Sequence, residues 1–427
     1  MNNSYEQRWL AIKKLLDDRG VNGSDIVEAL QDYYSIFEDR TLKWLAGLFD
    51  PDIGGFYYSE SARDNDAIVY NGVEYPLLPD IESTSQATNF LHSNEIYMDW
   101  MDFPLWMRKK MEKFICERQD PETGFFYHPQ WPKALTDLKP HRRGRDLRWS
   151  VAMADKYKFK LPYPTAYERL ENKDEEAEMH IPEYLLNEEK FLSYLKNFDW
   201  ENKAYWSGNQ IASQAKIIRA SGLAKVAVNF MNSIQNPKNG CWGRHENGFC
   251  AINAFLKISA MYGELGFPVP NADKAIKVAF ECTTEPTEAA DSVCCQYNAW
   301  FSIRNILDSM RTFGGLEGNR LAEEAIDYHL KNCLEPISST KEKALRFKKA
   351  DGCFSFKPTE SSGLSQGMPV AIFHTNEGDI NANGICSSGT ARQLFASLGI
   401  EENFIPIFSP AKTEIFNSVL KLPKEMQ

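Results

Sequence analysis

No apolar run in this chain approaches the length of a membrane span, so no bilayer-crossing helix is expected. The opening residues, Met1-Asn2-Asn3-Ser4-Tyr5-Glu6-Gln7, lack the basic and apolar stretches of a secretory leader; a cytoplasmic location without a membrane partner is expected. Clustered positive charge is also scarce. Lys and Arg number 48 against 59 Asp and Glu, a net charge of -11, and the one basic run is His141-Arg142-Arg143-Gly144-Arg145-Asp146-Leu147-Arg148. Nucleic-acid binding rests on clustered cations, so nucleic acid is excluded as the main partner. There is no Cys-x-x-Cys pair among the nine cysteines, which are odd in number and scattered. Cys116, Cys250, Cys294 and Cys386 fall in helical patterns, which suits reduced, buried thiols, and no metal site or cofactor is expected. Gly-rich phosphate loops and HExxH are absent too.

What is present is a repeated phrase. Gln119-Asp120-Pro121-Glu122-Thr123-Gly124-Phe125-Phe126-Tyr127 has looser copies at Phe49 to Tyr58, at Gln235 to Trp242 and at Asp351 to Phe354, with a worn copy at Asp199 to Trp206. Each couples a turn-forming Asp or Asn with Pro or Gly to an aromatic, so the chain reverses tightly and a large ring pins the turn. Irregular spacing points to divergent helical hairpins with loop insertions. Aromatics make up 13% of the chain, enough to line a pocket for ring-shaped ligands or to fill a large helical core.

Between the turns, apolar residues recur at three- and four-residue spacing in 27–48, 103–118, 187–198, 223–234, 272–282 and 320–333, with charges between them. Their partners, 83–96, 146–157, 208–221, 248–265, 292–310 and 383–398, are rich in Ala, Ser, Gly and Cys and nearly free of charge, as helices packed on all sides are. Six amphipathic and six enclosed helices predict an all-α protein, an (α/α)6 toroid with an inner ring of parallel helices inside an outer ring. A closed ring holds one core, so 1–427 is read as one domain. The charge run 168–178 reads as a solvated surface segment. A long Gly-, Ser- and Pro-rich stretch, 341–381, reads as a binding loop or lid.

Each turn leads from an outer to an inner helix, so the inner-helix N-termini gather at one mouth, where unpaired N–H groups favour anions. A sugar cleft needs aromatic faces and bidentate polar groups, and glycoside hydrolysis needs two carboxyl groups, one protonated and one ionised. Asp80, Glu82, Asp146, His245 and Glu246 are the catalytic candidates. Tyr57, Tyr58, Arg63, His128, Trp131, Arg143, Arg145, Arg148, Trp206, Trp242, Gln366 and Asp379 are the substrate-binding candidates. Bland readings stand beside these. Asp80 and Glu82 also suit helix capping, the arginines a buried Arg–Asp network, and Trp206 and Trp242 hairpin wedges, whereas Trp131 lies beyond the repeated slot. Grouped guanidinium groups beside a helix start also suit a carboxylate or sulfate, as on a uronic acid.

With its hairpin count, Gly124-Phe125-Phe126-Tyr127-His128-Pro129-Gln130-Trp131 and Arg142-Arg143-Gly144-Arg145-Asp146-Leu147-Arg148-Trp149, the chain resembles the six-hairpin glycosidase-like proteins, a toroid group of polysaccharide hydrolases and lyases. That resemblance implies a glycoside hydrolase or lyase with an oligosaccharide at the inner-helix N-terminal mouth; it carries no individual residue role across. The turn phrase is also similar to the Gln-x-x-Asp-Gly-x-Trp repeats of terpenoid cyclases and protein prenyltransferases, which implies an isoprenoid ligand. There Asp64-Asn65-Asp66-Ala67 departs from the cyclase acid motif at its last position, and Asp291 with Cys294 or Cys295 and His374 would stand for the prenyltransferase zinc ligands. A toroid that binds a ligand or protein without catalysis is the reading from a third class.

Overall fold

Short polar turns set the architecture. The computed structural model describes residues 2–172 and 181–426; of the charge run, positions 173–178 lie outside the described residues. In each copy of the phrase an Asp or Asn side chain accepts a backbone N–H two or three residues on. Asp50 Oδ1 takes Ile53 N at 2.9 Å, Asp120 Oδ1 takes Thr123 N at 2.8 Å, Asn236 Oδ1 takes Lys238 N at 2.9 Å and Asp351 Oδ1 takes Cys353 N at 2.9 Å. The glycine of each copy, Gly54, Gly124, Gly240 or Gly352, has positive φ. At Gly124 a Cβ would also meet Pro164 O at 2.4 Å, so both backbone and space require glycine there. Each turn ends on a buried ring: Phe56, Phe126, Trp242 and Phe354 are all at most 1% exposed.

The helices in chain order are α1 (Asn2–Asp18), α2 (Gly23–Tyr34), α3 (Arg40–Gly47), α4 (Ile81–Ser93), α5 (Leu105–Cys116), α6 (Pro140–Tyr157), α7 (Glu188–Lys196), α8 (Ala204–Ser213) and α9 (Ala215–Ala220). They continue with α10 (Ala224–Ile234), α11 (Gly248–Leu265), α12 (Ala272–Cys282), α13 (Cys294–Phe313), α14 (Gly315–Asn332), α15 (Leu334–Leu345), α16 (Ile380–Gly384) and α17 (Thr390–Ser397). Among the described residues strands are confined to three antiparallel hairpins, β1 (Phe49–Asp50) with β2 (Gly55–Phe56), β3 (Ala67–Tyr70) with β4 (Val73–Pro76), and β5 (Leu364–Ser365) with β6 (Met368–Pro369). The fold is all-α, and among the described residues no helix is long and apolar enough to cross a membrane.

Periodicity decides which helices are enclosed. On α5, Met107, Met111, Phe114 and Ile115 are buried while Lys109 and Lys113 face water, a single apolar stripe. On α11, buried residues follow one another closely (Ala251, Ile252, Ala254, Phe255, Leu256, Ile258, Ser259), so more than one side is covered. The enclosed helices touch in sequence: α4 packs on α6, α6 on α8, α8 on α11, α11 on α13, α13 on α17, and α16 returns to α4. Against them pack α5 on α6, α12 on α11 and α13, and α14 on α12 and α13, while α15 joins α13 to α2.

Several expectations are corrected in detail. Segment 27–48 is two helices, because the chain turns after Tyr34 and seats Phe37 on Tyr33 and Phe354. Segment 208–221 breaks at Gln214, whose amide bonds Gln210 O at 2.9 Å and the Tyr194 hydroxyl at 3.2 Å. The last enclosed helix widens into a π turn at Ile385–Gly389, where the Tyr33 hydroxyl donates to Cys386 O. Residues 341–345 belong to α15 rather than to the long loop, and α1 has no counterpart among the sequence-predicted helices. All nine cysteines are free, as expected of reduced thiols, but of the four expected to be buried Cys250 is exposed, Cys116 and Cys294 are half-buried and Cys386 alone is fully buried.

The main apolar core runs from Trp9 to Phe416. A smaller one joins Tyr58, Ala62, Ile68, Tyr75, Leu77, Trp131, Met368, Val370 and Ala371, side chains drawn from the loops ahead of α4, α6 and α16. These loops form a roof over the N-terminal ends of α4 and α6.

Candidate active site at the helix N-termini

Beneath the roof lies a buried ionic network centred on Arg142. Pro140 at the first turn of α6 starts the helix with its φ preset, which puts Arg142, Arg145, Asp146 and Arg148 within its first turns. Arg142 is 0% exposed. Its guanidinium donates from Nε to Asp146 Oδ2 at 2.9 Å and from Nη2 to Asp80 Oδ1 at 2.7 Å, and Nη1 lies 3.5 Å from Glu82 Oε2. Its Cζ stands 4.7 Å over the Trp131 ring. Burial alone would lower this guanidinium, but the charges of Asp146, Asp80 and Glu82 outweigh it and raise it above the ordinary arginine value. Burial likewise works to raise Asp146, yet Arg142 and His128 beside it hold the carboxyl below the usual range.

Asp80 also caps α4. Its Oδ1 accepts from Ser83 N at 3.1 Å and its Oδ2 from Ser83 Oγ at 2.6 Å, so the capping and ion-pair readings are both realised in one carboxylate. Glu82, in the first turn of α4, pairs with Arg145 through Oε1, while its Oε2 has no hydrogen-bond partner. His128 is fully enclosed, with Nε2 3.4 Å from Asp146 Oδ2 and no hydrogen bond; burial lowers its pKa, which favours the neutral ring.

The long loop closes over this network. Gln366 and Gly367, both at positive φ, form the two-residue turn between β5 and β6. From that tip Gln366 Oε1 accepts from Asn209 Nδ2 on α8 at 3.0 Å, and Ser365 Oγ accepts from Arg142 Nη1 at 3.4 Å. Asp379 anchors the loop's end by capping α16. Its Oδ1 takes Ala382 N at 2.8 Å and the Tyr58 hydroxyl at 3.1 Å, and its Oδ2 takes Phe356 N at 2.7 Å. Burial raises this carboxyl to about 7 against those stabilising donors.

The structure brings Asp80, Glu82, His128, Trp131, Arg142, Arg145, Asp146, Tyr58 and Asp379 under one roof. Other candidates go elsewhere. His245 and Glu246 are exposed and are not joined to the Arg142 network; His245 instead borders a cavity of about 300 Å³ with Asn247, Glu285, Asp291, Cys295 and Lys343. Trp131 is 3% exposed and donates from Nε1 to Pro369 O at 3.1 Å, so it offers no open face to a ligand. Trp206 reverses the wedge reading, being 59% exposed on α8, whereas Trp242 keeps it, buried with Nε1 bonded to Met231 O at 2.9 Å. Arg63 pairs with Asp64 at 2.7 Å, Tyr57 with Asp50 at 3.0 Å, and Arg143 with Asp137 at 2.7 Å, three local supports. His374 pairs with Glu360 at 2.7 Å, and among the described residues no group of three His, Cys, Asp or Glu is placed to hold a metal ion.

The enclosed helices are joined by polar side chains. Lys156 donates to Asn89 Oδ1 at 2.9 Å across α6 and α4, and His141 Nδ1 is 3.0 Å from Gln210 Oε1 across α6 and α8. Asn298 bonds Asn253 across α13 and α11, Asn305 donates to Ser259 Oγ at 3.1 Å, and Gln86 donates to Asn381 Oδ1 at 3.2 Å across α4 and α16. Lys257 stands over Tyr205 at 5.4 Å across α11 and α8. Lys257 escaped the sequence reading, although it is the lone basic residue of α11. Compared with known proteins, the chain matches no family model, no curated protein and no solved structure.

Proposed function

We propose that the protein is an (α/α)6 toroid of the six-hairpin glycosidase type and a carbohydrate-active enzyme, a glycoside hydrolase or lyase acting on an oligosaccharide. The closed order of contacts from α4 through α6, α8, α11, α13 and α17 and back through α16 supports the ring. One observation carries the ligand class: hydrogen-bonding side chains join neighbouring enclosed helices, from Gln86 and Asn89 to Asn253, Asn298 and Asn381. Sugars are recognised by such groups, whereas an isoprenoid needs an apolar lining. Glu82 is the acid–base candidate: its Oε2 is buried without a hydrogen-bond partner, 3.5 Å from Arg142 Nη1, whereas Asp80 is held by Arg142 at 2.7 Å and Asp146, although its Oδ1 is also unbonded, is held through Oδ2 at 2.9 Å. In this reading Asp80, Asp146 and His128 are positioning residues that hold Arg142, and exposed Trp206 is a stacking platform at the mouth.

The test is incubation of the pure protein with a panel of oligosaccharides. New reducing ends without an unsaturated product indicate hydrolysis; an ultraviolet-absorbing unsaturated end indicates a lyase. Glu82→Gln is expected to lower turnover by about 10²–10⁴-fold while the variant still melts cooperatively. If no sugar is turned over or raises the melting temperature, the reading fails.

A further inference from the structure

Four cations, three on α6 and one midway along α11, bear on three carboxylates of α4 and α6, but the pairing is uneven. Arg142 takes Asp80 and Asp146 and leans on Glu82. Arg145 shares Glu82. Lys257 and Arg148 then remain: among the described residues neither forms a salt bridge or side-chain hydrogen bond, and Arg148 contacts only the neighbouring Trp149 ring, at 4.7 Å. Arg145 Nε and Arg148 Nε are buried without partners.

The direction of Lys257 follows from its electrostatic neighbours. Its ammonium senses Arg145 and Arg148 on α6, Cys294 on α13 and Glu82 on α4, and it stands over Tyr205 on α8. The Tyr205 ring on α8, 5.4 Å from the ammonium, sets Lys257 on the face of α11 that packs against α8. Arg145 and Arg148 are three residues apart on α6 and share a face. Gly208 on α8 allows the close approach, since a Cβ there would lie 3.2 Å from Lys257 Cβ. Burial, with Arg145 and Arg148 adding repulsion, brings the Lys257 ammonium down to about 8. Enclosed cations without counter-charge are costly to a fold and cluster where a ligand supplies the charge.

We propose that Arg145, Arg148 and Lys257 form an anion subsite inside the helical ring that takes the carboxylate or sulfate of an acidic sugar, with Glu82 Oε2 accepting a hydroxyl of the same ligand. The subsite rests on the carbohydrate reading above and narrows it to acidic glycans. A uronate and a sulfate ester present the same oxygen-rich anion to these donors.

Thermal melts of the full chain test it with an oligogalacturonate, a sulfated disaccharide, a neutral cello-oligosaccharide and inorganic sulfate. One or both acidic sugars should raise the melting temperature well beyond the neutral one, and the arm that does so identifies uronate or sulfate. Lys257→Met and Arg148→Met should each weaken acidic-sugar binding by about tenfold or more. Each should also melt higher than the wild type without ligand, because an uncompensated cation is gone; a fold broken by the substitution would melt lower. Equal stabilisation by neutral and acidic sugars overturns the subsite and leaves the carbohydrate reading standing. Stabilisation by inorganic sulfate with no response to any sugar sinks both. Unchanged acidic-sugar affinity in both variants overturns the subsite alone.

Discussion

Arg142→Met removes the cation shared by Asp80, Glu82 and Asp146 while keeping much of the side-chain volume. The four residues are 0%, 1%, 2% and 0% exposed in the order Arg142, Asp80, Glu82, Asp146, so water cannot replace the lost partner. Breaking a buried pair by removing one member costs about 3–5 kcal/mol, because it strands the other charge. Asp80 and Asp146 lose their arginine while Glu82 keeps Arg145, so the expected loss stays within that range. A chain of 427 residues unfolds with an entropy of about 0.9 kcal/mol/K, so the melting temperature should fall by about 3–6 °C. The pH dependence gives a sharper signature. Stranded carboxylates relieve themselves by taking protons, so the deficit should be smaller at about pH 5 than at about pH 8. Adding Asp80→Asn and Asp146→Asn to Arg142→Met should recover part of the loss, since these substitutions remove the stranded charges. Calorimetry or denaturant melts of the single and triple variants supply the assay. A loss below about 1 kcal/mol, equal at both pH values, would refute the account of Arg142 as the hub.

His141 and His329 are both buried and lowered to about 4, chiefly by burial, so the unfolded chain binds protons that the folded one refuses. Their stabilising effect is full above about pH 6.5 and is lost as pH falls toward 4, by up to about 3 kcal/mol each. Asp379 acts with opposite sign: raised to about 7, it adds stability at low pH that is lost as pH rises through 7. Asp379→Asn should therefore steepen the acid-side loss in a pH series of thermal melts, and an unchanged profile would remove Asp379 from the balance. Trp242→Ala should cost about 3–5 kcal/mol. Trp206→Ala should stay within about 0.5 kcal/mol and show its effect in ligand-induced stabilisation instead. Gly124→Ala should cost about 1–3 kcal/mol, because both the positive φ and the Pro164 carbonyl oppose a Cβ; a neutral result in urea melts would mean the turn relaxes freely.

Much of the architecture was legible because its causes are local. An Asx turn needs only its own Asp or Asn and the next few N–H groups, so the copies at Asp50, Asp120, Asn236 and Asp351 could be read directly. The alternation of striped and charge-poor helices likewise exposed which would be enclosed, and Asp80 as a helix start follows from composition alone, whereas Asp379, read as a substrate-binding residue, caps α16. Trp131 and Trp206 show where local reading stops. Both are tryptophans near the start of an enclosed helix, yet a hairpin at 364–369, distant in sequence, buries the first and leaves the second open.

By itself, then, the amino-acid order determined the turns, the helix periodicities, the all-α class and the residue types available at the helix N-termini. These depend on neighbours within a few positions. Only the tertiary structure decided that Arg142 holds Asp80, Glu82 and Asp146, that His245 and Glu246 stand apart from them, and that Lys257 on α11 stands over Tyr205 on α8. Pairing and burial of charges depend on which helices meet across more than a hundred residues of chain, and no spacing along the sequence encodes that distance.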